Sequence, residues 1–369
     1  MITHRFTLAQ RAAGDCHKGI LAICLFSVWT LGLSLSASAQ EAMFITFDPP
    51  GGTGTSPTSI NSAGEITGNY YDGSRFSGFV RSSDGTFTTF DVPGAIATNP
   101  VGISAVGEIA GYYYDGNNYH GFLRARDGSI LTLYCPGRTE TYPVAINSAG
   151  AITGTCGNHD FLRSYEGTFT IFDIPRSLFT FPMGINPAGA ITGFYSAASG
   201  VGHGFVRSRD GTFETFDPPG ELTITPLPAG TYYTTPTGIN PAGAITGYYS
   251  DQSLATHGFV RSRRGTYNVI DAPGSAGFTK ALGINPAGTI IGIYYGDDGS
   301  QHAFVRSRQG IYTTFDPPGS YTYPTSINAA GEITGSYNEH GFLRIPDDSG
   351  ENMGLEGRAG PPFLKGHHD

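Results

Sequence analysis

Helical periodicity, tryptophan, basic charge and cysteine are what this chain has least of. It carries one Trp and four Cys in 369 residues. No segment repeats its apolar residues at helical spacing, so an α-helical or α/β fold is excluded. Lys and Arg number 21 against 30 Asp and Glu. A protein that neutralises nucleic-acid phosphates needs the opposite balance, so nucleic acid is excluded as a partner. No His/Cys group has zinc spacing, and no G-x-S-x-G elbow is present. Gly51-Gly52-Thr53-Gly54 neither follows a strand nor opens a helix, which rules out a phosphate cradle. No cofactor and no metal site is read. The acidic loops Asp72-Gly73, Asp115-Gly116 and Asp297-Asp298-Gly299 lack a full calcium ligand series and read as solvated turns.

The first 39 residues read as a signal peptide. Arg5, Arg11 and Lys18 form a basic start, Gly19 to about Leu35 is apolar, and Ala37-Ser38-Ala39 offers small residues before Gln40. An uncleaved signal anchor is the lesser alternative. No second span follows, so no membrane insertion is expected after cleavage, and the mature protein is expected to be secreted, extracellular or periplasmic. Residues 1–39 hold three basic residues and one acidic one. Their removal leaves 18 Lys+Arg and 29 Asp+Glu, a net charge of −11. Only Lys280 and Lys365 remain as lysines. Residues 346–369, rich in Gly, Pro and charge, read as a disordered tail.

What the chain has in quantity is a repeat. A unit of about 43 residues recurs seven times, anchored at Ile60, Ile103, Ile146, Ile185, Ile239, Ile284 and Ile327. Each reads G-I-N-P-A-G-x-I-T-G-x-Y, then H-G-F-V-R-S-x-D-G-T-F-T-T-F-D-P-P-G. One glycine stands four residues after each anchor and another eight after it. A period in this range signals a solenoid, propeller or array. The last unit stops after His340-Gly341-Phe342-Leu343-Arg344, and its missing piece stands at the front as Thr46-Phe47-Asp48-Pro49-Pro50-Gly51. Closure of a ring by the N-terminal strand explains both ends. An open β-solenoid leaves the displacement unexplained.

Within a unit the signals are those of short strands and tight turns. Thr58–Asn61, Glu65–Tyr71, Ser77–Ser82 and Thr86–Asp91 are expected as strands. Asn61-Ser62-Ala63-Gly64 fits a type I turn, and Asp84-Gly85 predicts a two-residue hairpin. Residues before the anchors are small (Ser59, Gly102, Ala145, Gly184, Gly238, Gly283, Ser326), as a strand crowded around a channel requires. The expected fold is all-β. Residues 40–345 form one seven-bladed β-propeller of four-stranded antiparallel blades.

These phrases, with His302-Ala303-Phe304-Val305-Arg306, resemble the bacterial extracellular HAF-repeat proteins over about residues 44–344. The resemblance implies export and a propeller-like β fold. It implies no reaction and carries no catalytic residues over.

Polar residues also recur. Every unit has an Arg after F-[V/L], six have His before that phrase, and six fourth strands end in Asp. An active site is built once on a ring, so residues present in every blade are read as holding blades together. Connections between second and third strands, and between blades, vary in length and share one face; the largest insertion is about Glu221–Pro236. Loops on a rigid scaffold are where binding residues concentrate. The candidate ligand-binding residues there are Tyr114, Tyr119, Tyr232, Tyr233, Tyr321 and Tyr323, with Tyr142 beside them. The other reading of these tyrosines is loop packing. The favoured function is a binding module, acting as a monomer on a glycan or a protein at the cell exterior. A structural envelope protein without a discrete ligand is one alternative. A carbohydrate-active lyase or glycosidase is the other, with Asp251, His257, Glu221 and Asp297 as its only loose candidates.

Cys135 and Cys156 fall in consecutive blades. Cys135 is read as replacing the recurrent Asp, and Cys156 as replacing a recurrent Tyr. On that reading the Asp of one blade bonds the Tyr hydroxyl of the next, and a disulfide substitutes for the pair at this junction. Two unrelated buried thiols are the alternative.

Overall fold

The computed structural model describes residues 42–220, 234–317 and 321–347. The signal segment, the tail and most of the long insertion lie outside them. The described chain is all-β, with no helix, and is built from small four-stranded antiparallel sheets in a propeller-like arrangement. The first unit is representative. Thr53–Ile60, Ile66–Tyr71, Phe76–Arg81 and Phe87–Phe90 pair in sequence order. Units two to four repeat this order. The fifth and sixth are joined by one parallel bridge, Thr256 opposite Phe278. In the seventh, Thr322–Ile327, Ile333–Tyr337 and His340–Ile345 take their fourth strand from Met43–Phe47, with Met43 opposite Ile345 and Phe47 opposite Gly341.

The two recurrent glycines have different causes. The one four residues after each anchor closes the first hairpin. Gly64 has φ +76° and donates to the Asn61 carbonyl, while Asn61 N–H donates to the Glu65 carbonyl. This is a type I turn followed by a left-handed residue. The second glycine sits where the first strand bulges. A Cβ on Gly68 would lie 2.2 Å from the Ser56 carbonyl oxygen, and one on Gly154 would lie 2.0 Å from that of Tyr142. No side chain fits there. The Asp84-Gly85 hairpin differs from the two-residue turn the dipeptide predicts. Ser82 bonds Thr86, Gly85 bonds Ser82, and only Gly85 has positive φ. Without a second left-handed residue the type I′ turn cannot form, and the same three-residue loop results.

The first strands of consecutive units pack on one another, and that of the seventh packs on that of the first. Asn side chains knit them. Asn61 Oδ1 accepts from the N–H groups of Ala63 and Glu65, while its amide donates to the Ser104 carbonyl of the next unit. The amides of Asn147, Asn186, Asn240 and Asn285 each donate to the carbonyl one unit on, at 2.9–3.3 Å. That of Asn328 donates to Asn61 at 3.1 Å. Only the second unit, with Ser104 in place of Asn, lacks the amide. These asparagines are buried, so the bonds are made away from water, each contributing about 1 kcal/mol net. The core of each blade is a Phe from the third strand, fully buried in all seven units (Phe79, Phe122, Phe161, Phe205, Phe259, Phe304, Phe342).

Candidate functional site

The recurrent Arg and the recurrent His do different jobs. Arg81 stacks over Phe47, Arg124 over Phe90, Arg207 over Phe172, Arg261 over Phe216 and Arg344 over Phe315, each at 4.8–5.2 Å. In every case the ring ends the fourth strand of the preceding blade, so the Arg ties neighbours together. His instead pairs within its own blade. His159 Nδ1 lies 2.6 Å from Asp173, and His203, His257, His302 and His340 lie 2.7–2.8 Å from Asp217, Asp271, Asp316 and Asp48. The expected Asp–Tyr bond between blades is not seen among the described residues, where the hydroxyls of Tyr113, Tyr294 and Tyr337 bond Thr instead. The Tyr ring packs beside the His ring, at 5.0 Å for Tyr294 and His302. The Tyr294 hydroxyl bonds Thr314 of its own blade.

The cysteines obey a corrected register. Gly121 pairs with Leu133 as Gly78 pairs with Phe90, so Tyr134 occupies the Asp position and Cys135 the apolar one after it. The Cys135 N–H bonds Thr141 Oγ1 just as the Val92 N–H bonds that of Thr98. At other junctions this apolar residue packs against the Tyr of the next blade, Val92 against Tyr113 and Ala272 against Tyr294. Such a contact is closer than an Asp–Tyr bond. Cys135 and Cys156 accordingly stand with Cα atoms 6.2 Å apart and are joined as a disulfide. Their separation of 21 residues corresponds to about 3 kcal/mol of chain entropy. Cys156→Ser should lower stability by about that amount, and residues 40–369, unreduced and denatured, should show no reactive thiol. Two thiols per chain in that titration would contradict the bond. Displacement of Asp by Tyr134 also explains His120, which turns to Asp115 at 2.9 Å.

The candidate tyrosines divide. Tyr232 and Tyr233 lie outside the described residues. Tyr114 and Tyr119 are brought together, 4.8 Å between ring centres, and Tyr119 continues to Tyr142 at 5.1 Å and Tyr112 at 6.0 Å. Burial, with Glu140 and the neighbouring tyrosines, pushes the Tyr142 hydroxyl up to about 12. Tyr321 and Tyr323 open the first strand of the seventh unit and are 69% and 43% exposed. Burial of its hydroxyl end, and then Tyr248, raises the pKa of Tyr323. Tyr248 has a second neighbour, which the sequence argument did not take as a site residue. The Lys280 ammonium lies 4.3 Å from the Tyr248 ring centre and 5.1 Å from that of Phe278, and desolvation lowers its pKa. Tyr142, Lys280 and Tyr323 all stand four residues before their anchor Ile, where other units have Ser56, Asn99, Phe181 and Thr235. Variation at one fixed register position was the signal available in the sequence.

The acidic loops spend their carboxylates on their own backbone. Asp115 accepts from the N–H groups of Asn117 and Asn118 and from His120, which hold its pKa down to about 2. Asp72, Asp251 and Asp298 close similar turns.

The fold is that of a propeller-like repeat protein. No protein-family model matches the chain, and no curated protein matches it in sequence. Among solved structures it is similar to a streptogramin B lyase, with 13% identity and a TM-score of 0.56 over 84% of this chain and 99% of that one. It is also similar to a catalytically inactive variant of virginiamycin B lyase from Staphylococcus aureus with quinupristin, with 14% identity and a TM-score of 0.58 over 83% and 99%. At these identities the likeness is one of fold.

Proposed function

We propose that this protein is a secreted, monomeric seven-bladed β-propeller of the HAF-repeat type, closed by its N-terminal strand, that binds glycans through tyrosines on the variable-loop face. The seven anchors, the pairing of Met43–Phe47 with His340–Ile345 and the Asn328–Asn61 bond support the closed ring. The apolar run and Ala37-Ser38-Ala39 support export. The observation that carries the function is the Tyr112–Tyr114–Tyr119–Tyr142 cluster. It departs from the repeat, and aromatic faces with polar tips suit sugar rings. A glycan array probed with residues 40–369 tests the proposal. Tyr119→Ala and Tyr142→Ala should weaken binding to the best glycan at least tenfold while melting within a few degrees of wild type. Loss of folding would make these rings packing residues, and an empty array would favour an envelope protein as partner. A lyase is the second reading, favoured by His257. Its ring is held by Asp271 at 2.7 Å and Asp251 at 3.4 Å. Burial works against its charge, and the two carboxylates outweigh burial and raise its pKa. Incubation with quinupristin, followed by mass spectrometry, separates the readings.

A further inference from the structure

The third unit breaks the repeat at more places than its cysteine. The phrase before the core Phe has Gly in five units (Gly78, Gly121, Gly204, Gly258, Gly341) and Ala303 in a sixth, but Asp160 here. Elsewhere the position has no room for a long side chain. A Cβ on Gly204 would lie 2.5 Å from the Phe216 ring, and one on Gly341 would lie 2.5 Å from that of Phe47. Asp160 is fully buried, and neither carboxylate oxygen has a hydrogen-bond partner among the described residues. Burial, and secondarily the charge of Asp173, pushes its pKa up to about 9. An unpaired buried acid is costly, and one placed once in seven otherwise alike units is a departure with a use.

Asp160 borders a cavity of about 570 Å³ between the third and fourth units. The short Gly157-Asn158 connection also borders it. Phe179, Phe181 and Phe194 form its wall, with Phe181 stacked on Phe194 at 5.6 Å and Phe179 edge-on at 6.2 Å. His159 also borders it, its Nδ1 taken by Asp173. Aromatic faces beside a carboxylate that lacks donors are complementary to a cation that brings both N–H groups and apolar surface. A metal ion is the wrong occupant, because no group of three or more His, Cys, Asp or Glu among the described residues could hold one. The protein already shows the matching contact in Lys280, whose ammonium sits between Tyr248 and Phe278.

We propose that this cavity binds an organic ammonium ion, with the Asp160 carboxylate as counter-ion and the three phenylalanines around its apolar part. The proposal rests on Asp160 and the phenylalanines and does not depend on the glycan reading. Titration calorimetry of residues 40–369 at pH 7 with phenethylamine, 2-phenylethanol and 3-phenylpropionate tests it. The amine should bind, the alcohol at least tenfold more weakly, and the acid not at all. Binding should release close to one proton as Asp160 ionises, seen as heats that differ between buffers. His159 and Asp173 are the other titratable groups at the site, and His159→Gln should leave that release in place. Asp160→Asn and Asp160→Gly should each weaken the amine at least tenfold, and Phe181→Ala should weaken it as well, with melting curves showing a folded protein. Equal binding of amine and alcohol, full binding by Asp160→Gly, or no heat from millimolar amine would each overturn the proposal.

Discussion

Deleting residues 42–48 should abolish cooperative melting or leave an aggregating chain. The strand Met43–Phe47 supplies the fourth strand of the last blade along five residue pairs. Its removal exposes the backbone of His340–Ile345 as a free edge, which is a template for association. It also strips side chains that join the chain's two ends. Phe44 stacks on Phe342 at 4.9 Å, Asp48 bonds His340 at 2.7 Å, and Arg81 of the first blade lies over Phe47 at 5.1 Å. Phe47 is buried with Ile60, Ile66, Tyr70 and Phe79, so the strand is shared between the last blade and the first. The graded variant is Phe47→Ala. Loss of a buried Phe costs about 3–5 kcal/mol, and the cavity would open under Arg81 at the closing junction. The measurements are thermal unfolding by circular dichroism and size by light scattering. A monomeric deletion variant with an unchanged melting temperature would show that the first strand is dispensable and would count against the proposed closed ring.

The repeat made the architecture legible because it constrains residues in a countable way. The anchors, the small residues before them and the displaced Thr46–Gly51 piece marked strands, crowding and pairing. Both recurrent glycines were visible, but their causes were not. One needs positive φ and the other the approach of a carbonyl oxygen, and these look alike in a sequence. The recurrent Asn read as a turn residue because its local role is legible. Its amide reaches a neighbour about 43 residues away, which only packing reveals. The Cys135 register failed for a related reason. Counting by the missing Asp misplaced it by one residue, whereas Pro136-Gly137 aligned with Pro93-Gly94 places it correctly. A slip of one residue in a strand exchanges its two faces, so the Asp–Tyr bond inferred from that register failed with it. The site residues were legible only as deviations from the repeat. Tyr114 and Tyr119 were found as loop tyrosines, while Lys280 and Asp160 required comparison of one register position through all the units.

Asp160→Gly should raise stability at alkaline pH and do little or the reverse near pH 4. In the unfolded chain an Asp side chain titrates near 3.9, and in the fold this one titrates at about 9. Between those values the unfolded chain has released the proton that the folded state still holds. The unfolded state then binds fewer protons, so stability falls as pH rises across this window, by at most about 1.4 kcal/mol per pH unit. The contribution is fully present below pH 4 and lost by about pH 9. Glycine removes the titration. It adds a cost of roughly 0.5–1 kcal/mol for strand flexibility, with a further loss where the carboxyl leaves space near Phe172, its cross-strand partner. At pH 4 those costs stand alone and the variant should melt at or below the wild type. At pH 8 the relief of the buried acid outweighs them and the variant should melt higher. His257, whose raised pKa adds stability below about pH 6.5 that is lost as pH rises through its folded value, imposes the same slope on both proteins and cancels in the difference. Melting temperatures of the two proteins from pH 4 to pH 9 decide the matter. Parallel curves would mean that Asp160 is solvated or paired in solution, and the cavity beside it would then lose its counter-ion. A gap that widens with pH, and that phenethylamine narrows by stabilising only the wild type, would join the buried acid to its ligand.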